Sequence, residues 1–146
     1  MDIQIKNHYF LIAGVLAILF AATHAWNGQS AVLPTLFVNE ISLDTRIIFS
    51  YVWHIITVEN LIFGIVFMIL AIQSDRSKIQ FTAWTITSLL LVRLIIILGI
   101  TVYYDVSALA ATLIDTIAIL IYVALIILGI TMKGRRSMSS QSSRKI

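Results

Sequence analysis

Cysteine is missing from all 146 residues, which removes disulfides, thiolate metal sites and a cysteine nucleophile from consideration. Charge is scarce: 12% of the chain is Asp, Glu, Lys or Arg and 60% is hydrophobic, with a mean hydropathy of +0.98, against roughly 25% charged in an ordinary soluble domain. That balance excludes a soluble domain and reads as an integral membrane protein partnered by the lipid bilayer. The length leaves no room for a separate soluble catalytic module. Proline occurs once, at Pro34, where it is expected to prevent a continuous helix. The net charge of +3 comes from Lys133, Arg135, Arg136, Arg144 and Lys145, all past the last apolar run. The basic balance therefore describes membrane placement and excludes a nucleic-acid partner.

A hydrocarbon core takes about 20 residues of helix, and four runs have that length: Tyr9 to Trp26, Ile47 to Ile72, Ile79 to Tyr104 and Val106 to Met132. The expected fold is an all-α, antiparallel bundle of four transmembrane helices over 1–132, followed by a basic, Ser-rich cytoplasmic tail at 133–146. Asn7, Asp44, Ser77 and Asp105 each precede a run, where a short polar side chain accepts free backbone N–H groups. The third and fourth runs meet at "YYDVS", which forces a hairpin. Small residues at Ala21 to Ala25 resemble a signal-peptide cleavage site, but the preceding "MDIQIKNH" has one lysine offset by Asp2, so the first run is kept as a span.

Loop charges set the expected orientation. The tail is basic and the 73–80 loop holds Arg76 and Lys78 against Asp75, whereas the 27–46 connection holds Glu40 and Asp44 against Arg46. Both termini are expected on the cytoplasmic side of an inner (plasma) membrane. The 27–46 connection is half apolar, and Leu33, Leu36 and Phe37 are expected to face lipid or cover the bundle mouth. Two echoes occur within the chain: "LIAGVLAILF" (11–20) with "LIFGIVFMIL" (61–70), and "IILGIT" at both 96–101 and 126–131. They are the kind of match a duplicated hairpin leaves, and also the kind that few residue types produce by chance.

Against this apolar background the ionisable residues stand out. Taking each run's midpoint as the bilayer centre, Glu59 and Arg93 fall within about 3 Å of it, with Asp115, His54 and His24 roughly 6, 8 and 10 Å outward. Each costs about 2.5–3.5 kcal/mol to insert, so a shared polar pocket is the economical reading. At about 100° per residue, Ser50, Trp53, His54, Thr57, Asn60, Gly64 and Met68 share one face of the second run. Ala13, Ala17, Ala21, His24 and Gly28 share a face of the first, and Ala108, Ala111, Asp115, Ala118, Tyr122 and Gly129 a face of the fourth. Glu59 lies about 140° from His54 and is expected to meet a different neighbour, a second subunit included.

Arg93 stays charged, so it is expected to pair with Asp115, Glu59 or both. An Arg93–Asp115 pair on its own would be a packing device between helices. His54 and His24 are the expected titrating groups, Asp115 the counter-charge, and Trp53, Thr57 and Asn60 the pocket wall. Handling of a proton, ion or small ligand is the leading expectation. A structural or assembly subunit, as a homo-oligomer or in a larger membrane complex, is the rival, with the histidines merely hydrogen-bonding between helices. No cofactor is called for, although His24 and His54 are close enough in depth for bis-imidazole ligation of a b-type haem, and together with Asp115 for a zinc or copper ion. No nucleophile elbow, phosphate loop or metal-hydrolase motif appears, so an enzyme would have to use His54 with a carboxylate as acid and base.

"HAWNG" closing the first run and "VWHIIT" in the second resemble a class of short bacterial four-span membrane proteins with a histidine in each of those helices. The resemblance covers residues 24–57. It implies the fold and the importance of His24, Trp53 and His54, and implies no mechanism.

Overall fold

A computed structural model describes residues 4–38 and 41–132. The chain is an all-α bundle of four helices, each long and apolar enough to cross a membrane. Helix α1 (His8–Asn27) passes through a π-helical turn (Gly28–Val32) into α2 (Leu33–Val38); α3 (Leu43–Ile72), α4 (Arg76–Tyr104) and α5 (Leu109–Thr131) follow, with a 3-10 turn at Val106–Ala108 before α5. Among the described residues there is no strand.

Pro34 does not break the first helix, as the sequence reading expected it to. In the turn before it, the Leu33 N–H bonds the Gly28 carbonyl five residues back. That wider turn precedes the ring and lets a residue without an N–H sit in the helix that follows. Helix therefore continues to Val38, with Leu33 and Leu36 buried. Phe37 stays exposed, and the Arg46 guanidinium lies 5.4 Å over its ring.

The caps also differ in part from expectation. Asn7 and Asp105 do cap, accepting from Phe10 N–H and Ser107 N–H. The cap of α3 is Ser42, with Asp44 in the first turn, and the cap of α4 is Asp75, which accepts from the Ser77 and Lys78 N–H groups. In each case a polar residue two places earlier takes the position. The 133–146 tail and Glu40 lie outside the described residues.

Helix α1 packs along α3, α5 packs on both α4 and α1, and α3 and α4 barely touch despite being adjacent in the chain. The α1–α3 crossing depends on two glycines: a Cβ on Gly14 would fall 2.9 Å from the Gly64 carbonyl, and one on Gly64 would fall 2.9 Å from the Gly14 carbonyl. No larger residue allows backbones that close, and in lipid, where apolar burial against apolar tails gains little, such close packing holds helices together. These glycines occupy the same place in the two echoed decapeptides. The glycines of the other echo part company, Gly129 lying under the Phe10 ring and Gly99 in open space.

The core occupies one end of the bundle only. It joins Phe10, Ala13 and Ala17 of α1, Phe63, Phe67, Leu70 and Ala71 of α3, Ala83, Ile86 and Leu90 of α4, and Tyr122, Val123, Ile126 and Ile130 of α5. Backbone and side-chain bonds close this end. Lys6 and Asn7 N–H both donate to the Ala71 carbonyl, and the Asn7 amide donates to the Gly129 carbonyl at 2.8 Å. Asn7 thus ties α1, α3 and α5 together while capping the first.

Candidate functional site

Beyond the core, the opposite half of the bundle is open, and the ionisable residues stand there. On α5 one face runs through Gly129, Tyr122 and Asp115, seven residues apart and so nearly in line on a helix. Tyr122 is 4% exposed, yet Asp115, two turns on along the same face, is exposed. The face that is covered at Tyr122 is uncovered at Asp115.

His24, on α1, is part-buried in the same half. Its ring stacks on Trp53 of α3 with centroids 4.2 Å apart and planes 6° from parallel. Trp53 Nε1 donates to the His24 carbonyl at 3.0 Å, and Gly28 supplies the space, since a Cβ there would lie 2.0 Å from that nitrogen. The His24 ring position is therefore fixed from one side, while its Nε2 is buried with no hydrogen-bond partner. Phe10 against Gly129 and Phe20 against Tyr122 set the α1–α5 register. Continued outward, that register brings His24 to within about a turn of Asp115. Asp115 makes no hydrogen bond or ion pair among the described residues.

Arg93 reaches across to α3, where it pairs with Glu59 and donates to Asn60 Oδ1 at 3.2 Å. Of the partners expected for Arg93, Glu59 is the one it meets, and the different neighbour expected for Glu59 is α4 of its own chain. The 140° between His54 and Glu59 turns Glu59 toward α4 and His54 toward the π-helical turn after α1, where Gln29 Nε2 lies 3.2 Å from His54 Nε2.

The expected pocket wall is also revised. A furrow of about 500 Å³ is lined by Tyr51, His54, Ile55, Val58, Glu59 and Ile62. All six come from α3, and its apolar floor is half exposed on the side turned away from the core. Of the expected site residues it holds only His54 and Glu59. Trp53 is taken up by His24, the Thr57 hydroxyl bonds the Trp53 carbonyl, and Asn60 serves Arg93. The furrow is a lipid-facing groove of one helix.

Cofactor geometry follows from the same contacts. His54 Nε2 is engaged by Gln29 at the edge of the furrow, whereas His24 Nε2 is buried between helices. The two imidazoles are thus held by different contacts, His24 by the Trp53 stack and His54 by Gln29. Among the described residues no three His, Cys, Asp or Glu side chains come together to hold a metal ion. Gln29, beside His54, went unnoticed because it falls in the stretch read as a loop, whereas periodicity already placed Gly28 on the His24 face. No protein-family model, curated protein or solved structure matches the chain.

Proposed function

We propose that this is a multi-pass membrane protein whose open half binds or passes a proton or small cation at Asp115 and His24. The supporting observation is a charge left over in an apolar zone. Arg93 and Glu59 pair with each other, so among the described carboxylates inside the spans Asp115 is left without an ion pair, and the buried His24 Nε2 has no hydrogen-bond partner. A carboxylate in that setting calls for a cation or a proton. His24 Nε2 then serves as acceptor or donor to the same occupant, held in place by the Trp53 stack. With the tail on the cytoplasmic side by its basic charge, the open half faces outward.

A second reading, a subunit that assembles with other copies or partners, draws on the apolar surface of the same half, where Ile95 and Ile114 are highly exposed. Vesicles reconstituted with the protein separate the two. In the binding reading, Asp115→Asn and His24→Gln each abolish pH-gradient-driven proton or cation uptake, and Asp115→Asn leaves thermal stability within about 1 kcal/mol, since no protein bond is lost. Uptake unchanged in both variants, or a change in oligomeric state alone, gives the protein to the assembly reading.

A further inference from the structure

We propose that the Arg93 contact is a latch between two helix pairs and that its release opens the bundle sideways between α3 and α4. This deepens the reading above, and rests on it only for what the opening admits. Helices α1 and α3 form one pair, fastened by the Gly14–Gly64 crossing and by Trp53 over Gly28. Helices α4 and α5 form the other, joined by the short turn at Val106–Ala108 and packed on each other. The pairs share the core at the closed end through Phe10, Phe67 and Tyr122. In the open half the connection between α3 and α4 is polar and local. Among the described residues, Arg93 to Glu59 and Arg93 to Asn60 are the side-chain hydrogen bonds that join them.

The chain geometry suits a hinge. α3 and α4 are linked by the short Gln73–Asp75 turn at the closed end, about five turns of helix from Arg93, and α4 otherwise holds to α5. Hinges are a few residues at element ends, and rigid pairs moving about one are a standard form of domain opening. A gap between α3 and α4 faces hydrocarbon. Its opening would widen the polar path to His24 and Asp115 from the side, past the side chains that form the latch.

Distances between spin labels test this, and the absence of cysteine makes two introduced thiols the only ones present. Ile55→Cys and Ile96→Cys place labels on exposed positions of α3 and α4 just beyond the latch. Val15→Cys and Ile65→Cys, beside the glycine crossing, form the control pair. In bilayer nanodiscs, Arg93→Gln and Glu59→Gln should each lengthen or broaden the 55–96 distance by roughly a helix radius, ~5 Å, leaving the 15–65 distance unchanged. The charge-swapped double variant Glu59→Arg/Arg93→Glu should recover the narrow distribution. An unchanged 55–96 distance in both single variants overturns the latch, and so does broadening of the control pair, because the contact would then be holding the whole fold. Loss of the Asp115 phenotype alone would leave these distances where they are and would strike only the binding reading.

Discussion

The two ends of this bundle are made from the same residue types and pack in opposite ways. At the closed end four helices contribute to one core, and Asn7 secures three of them with its side chain and backbone. At the open end α1 and α3 stay in contact through Gly28, Trp53 and His24, while Asp115 and Ala111 on the core-facing side of α5 are exposed. The difference teaches that apolar composition does not close a membrane bundle. Lipid solvates leucine as well as protein does, so helices are held where backbones approach closely or polar groups bond, and a small-residue face such as that of Ala111 does not by itself bring a neighbour onto it.

Core truncation should show the contrast most strongly. Phe67, fully buried, stacked on Phe10 and edge-to-face with Tyr122, should cost about 3 kcal/mol or more on replacement by alanine. Leu113→Ala in the open half, where the side chain is 56% exposed, should cost under about 1 kcal/mol. Unfolding in mixed micelles compares them, and equal losses would mean that the open half is packed in solution.

The glycines sharpen the same comparison at smaller scale. Gly64→Ala drives a methyl against the Gly14 carbonyl and the Ile18 side chain, and should destabilise by about 1–3 kcal/mol. Gly99→Ala meets nothing within 4 Å and should stabilise α4 by up to about 1 kcal/mol. Thermal melts of the two variants should therefore move in opposite directions.

The smallest effect is expected at the tip of the α4–α5 hairpin. Hydrogen bonds from the Ser107 hydroxyl and N–H hold the Asp105 carboxyl below the ordinary carboxylate range. A depressed carboxylate contributes stability at neutral pH and loses it as acid protonates the folded form, so the contribution should fade below about pH 4. Asp105→Asn, which still offers an amide oxygen to the N–H, should lack that acid-dependent part. The check is the difference between wild-type and variant melting temperatures at pH 5 and pH 3.

Composition and run length, on their own, determined the class, the number of helices and their approximate limits, because insertion in hydrocarbon depends on hydropathy summed over some 20 residues and little on order. Helical spacing also exposed the face of α1 that packs, since Ala13, Ala17 and Ala21 are buried as their period requires. Three features depended on the assembled helices. Whether Pro34 ends a helix depended on the hydrogen-bond register of the turn before it. The partner of Arg93 depended on which helix lies beside it, and a helical wheel gives directions on one helix without naming the neighbour. Asp115 was placed on the core side by periodicity, but its exposure, two turns beyond Tyr122, was set by how the helices cross.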